Sequence, residues 1–115
     1  MQEIIPSLIK RGADPDIQNV DGRTALQYAV YYRYLDLVPV LVAGGADINR
    51  KDIDGMTPLM IAAYYGYYDT AAYLTERGAD VTVKNNDGKT ASMLARESGF
   101  DRIAEMIEQK IRTKR

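Results

Sequence analysis

A short stretch of sequence occurs three times in this chain, and the copies begin at the equally spaced residues 21, 54 and 87. A second stretch, Gly-Ala-Asp, keeps the same spacing and begins at residues 12, 45 and 78. Repetition at one fixed period of this length is typical of arrays in which small units stack, because no unit can bury its apolar face alone. The sequence therefore predicts a row of similar units whose function depends on the surface that the row presents.

The repeated stretches resemble the ankyrin repeat. That family has a Gly-x-Thr-Pro-Leu-His-x-Ala stretch at the start of a first helix and a second helix that ends in Gly-Ala-Asp. The matching stretches here are residues 22–29, 55–62 and 88–95, and the resemblance covers essentially the whole chain. It implies an all-α fold, a solenoid of stacked helix-turn-helix units with projecting β-hairpin-like loops. The proline is kept only at Pro58, and the family's histidine is replaced by Gln27, Met60 and Met93.

Local rules for helix ends predict two helices in each unit. Thr24, Thr57 and Thr90 are placed to cap the first helix, because a hydroxyl oxygen can accept a hydrogen bond from an unpaired backbone N–H group there. Glycine occupies the turn between the helices in two units, but Arg33 holds that place in the earlier one, which predicts local strain or a different turn. The expected second helices cover residues 35–43, 69–77 and 101–112.

The repeat pattern divides the chain into one domain of four segments. Residues 1–20 are expected to form a partial repeat, residues 21–53 and 54–86 two full repeats, and residues 87–115 a C-terminal capping repeat with a more polar outer face. Residues 4–9 align with the second-helix residues 37–42. The chain is therefore expected to begin in a second helix whose own first helix is missing.

The chain has nine tyrosines against one phenylalanine and no tryptophan, and most of the tyrosines keep the repeat spacing. Tyr31 and Tyr64 are one repeat period apart, as are Tyr32 and Tyr65. Consecutive large aromatic side chains cannot both face the core, and tyrosine provides rigid, amphipathic contact area. We therefore expect these four side chains to form a partner-binding surface at the end of the first helices. The aromatic residues of the inter-helix turn are expected to pack locally instead: Tyr34, Tyr67 and Phe100.

Loop residues are expected to contribute to the same surface, because four tyrosine rings alone provide too little area for tight binding. Ile53 and Met56 are apolar at positions where turns are normally polar. Val20 and Arg23 occupy neighbouring loop positions in the earlier unit. The resemblance to ankyrin repeats implies that such loop tips, together with the concave face, contact a protein or peptide partner.

Composition excludes several other functions. The chain lacks cysteine and histidine, so thiolate ligands, disulfides and the commonest general base are missing. Fifteen basic and sixteen acidic residues give a formal charge of −1, which argues against nucleic-acid binding. No apolar run approaches the roughly 20 residues that span a bilayer, and no signal peptide is visible. We expect no enzyme activity, metal or cofactor; the cellular compartment stays open, with an intracellular one favoured.

Two alternatives to a binding scaffold remain open. An N-terminal helix without a partner would expose an apolar patch, the kind of surface that marks an interface between copies of a chain; its residues are Ile4, Ile5, Leu8 and Ile9. A weaker hypothesis is an aromatic cage for a methylated lysine, which would need three or more rings converging with a carboxylate such as Asp54 or Asp87.

Overall fold

The computed structural model describes residue 18 and residues 22–113, with side chains up to residue 110. Within these residues the chain forms six α-helices and no β-strand, which confirms the all-α class. The predictions for Ile4, Ile5, Leu8, Ile9 and Val20 lie outside the described residues. The helices are α1 (Ala25–Tyr31), α2 (Leu37–Ala43), α3 (Pro58–Tyr65), α4 (Tyr68–Glu76), α5 (Ala91–Glu97) and α6 (Asp101–Thr113).

Threonine is the N-cap of the first helix in every described unit, as predicted. The hydroxyl oxygens of Thr24, Thr57 and Thr90 accept hydrogen bonds from the backbone N–H groups three residues later. Each such cap stabilises a helix by about 1 kcal/mol. Pro58 is the first residue of α3, where the missing N–H group would have had no intrahelical partner.

Two of the three second helices differ from the predicted ranges at their starts, while α6 begins at Asp101 as predicted. Helix α2 begins at Leu37 and not at residue 35, whereas α4 begins one residue before its predicted start. Pro39 explains the later start of α2. In a helix that began at Leu35, its ring would clash with the Leu35 carbonyl, but as the third residue of α2 it needs no intrahelical N–H bond.

The helices pack in pairs and in a row. Helix α1 packs against α2, α3 against α4, and α5 against α6, while α1 also contacts α3 and α3 contacts α5. Small residues allow the first helices to approach closely: Ala29, Ala62, Ala63 and Ala95 are fully buried. Because α3 lies between two neighbours, its first six residues are all buried.

Gln27 connects α1 to the loop of the following unit through a fully buried amide. Its Oε1 accepts a hydrogen bond from the Thr24 N–H at 2.7 Å, which completes a capping box. Its Nε2 donates to the carbonyl oxygens of Arg50 at 2.7 Å and Met56 at 2.9 Å. One side chain therefore satisfies backbone groups of two successive units.

Side-chain amide and carboxylate oxygens shape the loops between units. Asp52 Oδ1 accepts hydrogen bonds from the N–H groups of Asp54 and Met56, both at 2.9 Å. Asn85 is the equivalent residue of the next loop, and its Oδ1 accepts the equivalent pair at 2.9 and 3.0 Å. Such bonds from Asp and Asn to the backbone two residues on are typical of tight turns. The two loops therefore share one local geometry.

Successive loops also bond directly to each other. The backbone N–H of Asn86 donates to the Asp54 carbonyl oxygen at 3.1 Å, and its Nδ2 donates to the Ile53 carbonyl oxygen at 2.8 Å. Gly55 lies at this contact with φ +78°, and a Cβ atom there would be 2.6 Å from Asn86 Oδ1 and 2.8 Å from its backbone nitrogen. The backbones of the two loops are therefore too close to accommodate a side chain at position 55.

The turn after α1 carries the strain that the sequence predicts. Arg33 has φ +59°, whereas the equivalent residues Gly66 and Gly99 have φ +80° and +86°. A side chain with a Cβ atom is disfavoured in this left-handed region, whereas glycine is not. The guanidinium of Arg33 lies 5.4 Å from the centre of the Tyr67 ring, which offsets part of that cost.

We predict that Gln27→Met lowers the free energy of unfolding by about 3 kcal/mol, because buried backbone groups lose their partners while the side-chain volume hardly changes. Urea unfolding followed by circular dichroism measures the change. Met93→Gln is the control: this side chain is exposed, and its change is expected to stay within about 0.5 kcal/mol. Equal effects of the two substitutions would contradict the role assigned to the Gln27 amide.

We predict that Gly55→Ala destabilises the protein by about 2 kcal/mol more than Gly88→Ala, since overpacking adds to the backbone strain. Gly88 is a matched control because its φ is +77° and a Cβ atom there would meet nothing within 4 Å. The same urea titration measures both variants, and equal losses of stability would show that the loops can separate without cost.

We predict that Arg33→Gly is more stable than Arg33→Ala by about 1 kcal/mol, because only the alanine variant retains a Cβ atom in the left-handed region. Both variants lose the contact of the guanidinium with Tyr67. The difference between their free energies of unfolding, measured by thermal or urea unfolding, therefore reports the cost of a Cβ atom in the left-handed region. An alanine variant as stable as the glycine variant would show that the turn relaxes to another conformation.

Candidate functional site

Seven tyrosine rings contact one another across two units, and we call them the tyrosine cluster. Its members are Tyr28, Tyr31, Tyr32, Tyr34, Tyr64, Tyr65 and Tyr67. The ring centres of Tyr31 and Tyr65 are 5.3 Å apart in an edge-to-face contact that joins the two units. Within each unit, the consecutive pairs Tyr31–Tyr32 and Tyr64–Tyr65 also pack edge to face at 4.9 Å. These geometries are the ones that aromatic pairs prefer.

The four tyrosines predicted to bind a partner differ in their exposure. Tyr32, Tyr64 and Tyr65 are exposed over 56%, 47% and 41% of their surface. Tyr31 is half-buried and packs against the hydrophobic core, and the guanidinium of Arg23 lies 4.6 Å from its ring centre. Three rings therefore offer open contact area, and Tyr31 packs against two of them, Tyr32 and Tyr65.

Two of the turn aromatics, Tyr67 and Phe100, contact the preceding unit, so their packing extends beyond the local packing that the sequence predicts. The Tyr67 hydroxyl donates a hydrogen bond to the Tyr31 carbonyl oxygen at 3.3 Å. Tyr34 and Tyr67 are half-buried against the core. The Phe100 ring packs so closely on Gly66 that a Cβ atom there would lie 2.6 Å from it.

Tyr65 stays neutral throughout the physiological range. Burial, and then the polar interaction with the Tyr31 side chain, raise the pKa of Tyr65 to about 12. Its phenol therefore keeps its proton at neutral pH and can both donate and accept hydrogen bonds at the surface.

A groove of about 500 Å³ lies beside the tyrosine cluster, between the loops and the first helices, and we call it the loop groove. This volume falls within the roughly 300–1,000 Å³ of typical ligand sites. Its aromatic and apolar wall includes Tyr31, Tyr64, Tyr65 and Met56, and its charged rim includes Asp54 and Asp87. The groove thus combines ring faces with carboxylates.

Two ion pairs lie in the loop groove. The Arg23 Nε is 3.4 Å from Oδ2 of Asp52, whose side chain is only 1% exposed. Lys89 Nζ is 2.8 Å from Oε1 of Glu97, and that hydrogen bond raises the pKa of the Lys89 ammonium. Both cations therefore have a partner within the chain.

The predicted loop residues occupy different environments. Ile53 is 65% exposed at the tip of its loop, whereas Met56 is half-buried and lines the loop groove with Arg23. Sequence reasoning did not select Asp52 and Lys89 as groove residues. The repeat spacing could have found Lys89, because it lies one repeat period after Met56 and two periods after Arg23.

Two kinds of feature are absent from the part of the chain that the structure describes. No group of three or more acidic side chains there is arranged to hold a metal ion. Within the same residues, no helix has both the length and the apolar character needed to cross a membrane.

Comparison with known proteins agrees with the repeated stretches. The family model for ankyrin repeats, in three copies, matches residues 1–85. No curated protein matches the chain. Ankyrin repeats are generally protein–protein interaction modules. The resemblance read from the sequence is confirmed, because the match covers well over half of the 115 residues: this chain belongs to the ankyrin-repeat family.

Proposed function

We propose that this chain is a non-catalytic scaffold of solenoid form that binds another protein or peptide across its tyrosine-rich concave face and loop tips. The observation that carries the proposal is the tyrosine cluster, in which the exposed Tyr65 ring of one unit contacts the half-buried Tyr31 ring of the preceding unit. The general role of the ankyrin family in binding proteins supports the same function. The proposal assigns the main contacts to Tyr32, Tyr64 and Tyr65, with Tyr31 packed against the first and last of these rings.

Ring contacts make the surface well suited to binding. Each exposed ring packs against at least one other, so little side-chain entropy remains to be lost when a partner covers it. Tyrosine also combines a large apolar face with a hydroxyl group, which is why binding surfaces are rich in it. A preorganised surface of this kind favours a partner that lies flat across both units.

The contact area of the three exposed rings is too small for tight binding on its own. If three rings each lose about 100 Å² to a partner, the gain at about 25 cal/mol/Å² is roughly 7 kcal/mol. Association costs about 4–15 kcal/mol, so the rings alone do not give tight binding. The proposal therefore includes the loop residues, above all Ile53, whose apolar side chain is 65% exposed.

The two alternatives receive less support. Self-association through residues 4–9 stays a prediction, since these residues lie outside the described part of the chain. For a methyl-lysine cage, Tyr31, Tyr64 and Tyr65 do line one groove with Asp54 and Asp87. However, the Arg23 guanidinium already covers the Tyr31 ring, which argues against three ring faces being open to one ligand.

We predict that Tyr32→Ala combined with Tyr64→Ala weakens partner binding at least about tenfold, because two central aromatic contacts are typical hot spots. Peptides selected from a random display library against the immobilised wild-type chain serve as the probe. Their affinities for the wild-type and variant chains are measured by biolayer interferometry, and circular dichroism checks that the variant is folded.

Leu35→Ala combined with Val40→Ala is the matched control, since these side chains are also exposed and apolar but lie outside the tyrosine cluster. The selected peptides are expected to bind this control as tightly as the wild type. Peptides that bind the folded tyrosine variant without loss, or that lose affinity equally for both variants, would contradict the proposed surface.

A further inference from the structure

The same tyrosine position has different surroundings in two successive units. In the unit that begins at residue 21, the Arg23 guanidinium lies over the Tyr31 ring and pairs with Asp52. One repeat period later, the equivalent positions hold Met56, Tyr64 and Asn85. The cation and its carboxylate are therefore both replaced by neutral side chains beside Tyr64, which is 47% exposed.

The loop groove also carries unbalanced negative charge. Its described lining includes two cations, Arg23 and Lys89, and four carboxylates, which leaves an excess of two negative charges. Two of the carboxylates belong to the ion pairs Arg23–Asp52 and Lys89–Glu97. The excess comes from Asp54 and Asp87, both exposed and without an ion pair among the described residues.

Loop contacts fix the backbone of the two residues that carry these carboxylates. The Asp54 carbonyl oxygen accepts a hydrogen bond from the N–H of Asn86, the residue next to Asp87. The N–H groups of Asp54 and Asp87 are in turn fixed by Asp52 and Asn85. The backbone of both residues is therefore preorganised for binding.

We propose that the loop groove receives a basic side chain of the bound partner, lysine or arginine, between the carboxylates of Asp54 and Asp87 and the rings of Tyr64 and Tyr65. The inference rests on the proposed function and specifies the chemistry of the partner. The charged end of such a side chain donates hydrogen bonds to the carboxylates, while its aliphatic stem packs along the rings and Met56.

Charge complementarity selects this occupant. An acidic or phosphorylated segment would meet the net negative charge of the groove, which costs affinity. A wholly apolar side chain would leave the two carboxylates without a partner. A cation beside tyrosine faces is attracted by the rings as well, as the contact of Arg23 with Tyr31 shows within the same groove.

The probe is a set of blocked peptides, Gly-Ser-Xaa-Ser-Gly, in which Xaa is arginine, lysine, trimethyllysine, citrulline or norleucine. Binding is followed by NMR through the backbone amides of Asp54 and Asp87 and the methyl group of Met56. Arginine and lysine peptides are expected to shift these resonances saturably, and increasing salt should weaken their binding. Citrulline and norleucine, the uncharged counterparts, should produce no saturable shift.

Asp54→Asn combined with Asp87→Asn tests the carboxylates. We predict about fivefold weaker binding of the arginine and lysine peptides, the effect expected when exposed charge pairs are lost. Asp36→Asn combined with Asp69→Asn is the matched control, because it makes the same change of net charge with exposed aspartates outside the groove and should leave binding unchanged.

Several results would overturn the inference. They are the absence of binding by both basic peptides, equal binding of arginine and citrulline, or equal losses in the two aspartate variants. Tighter binding of trimethyllysine than of lysine would also overturn it, because a trimethylammonium group cannot donate hydrogen bonds to carboxylates.

The experiment separates this inference from the proposed function. Some peptides selected on the wild-type chain could depend on Tyr32 and Tyr64 but bind the Asp54→Asn, Asp87→Asn variant without loss. That result would support the scaffold function and contradict the proposal that a basic side chain of the partner occupies the loop groove. Selected peptides whose affinity does not change in the Tyr32→Ala, Tyr64→Ala variant would contradict the proposed function, whether or not the short peptides bind.

Discussion

Burial of the first helices against one another is the constraint on which the rest of the structure depends. Helix α3 shows it most clearly, because residues 58–63 are all buried while α1 and α5 cover its two sides. So short a helix has little stability of its own in water, and its apolar surface has to be covered by adjacent units. The fixed repeat period follows from this requirement, since every unit must present the same face to the next one.

Polar bonds then fix how far apart and in which register the units lie. The buried Gln27 amide bonds backbone groups of two units, and the Asn86 side chain does the same between successive loops. Because these donors and acceptors are directional, a small shift between units would leave several of them without partners. Apolar burial holds the row together, and the polar bonds give it one geometry.

The tyrosine cluster is a consequence of that register. Tyr31 and Tyr65 meet at 5.3 Å only because their helices are held side by side, and every other ring contact in the cluster lies within one unit. The loop groove has the same origin, since its walls come from the loops and first helices of three successive units. A site of this kind depends on the spacing of whole units, so changes at the unit contacts can alter it without touching a surface residue.

The sequence by itself determined the period, the threonine caps, the all-α class and the family, because each depends on residues close together in the chain or on exact repetition. It did not determine that Tyr31 lies half-buried under Arg23 while Tyr64 stays open, or that Asp54 and Asp87 are left without an ion pair among the described residues. The tertiary structure decided these points, because they depend on which residue of the next unit comes within a few ångströms, and local sequence rules do not fix that distance.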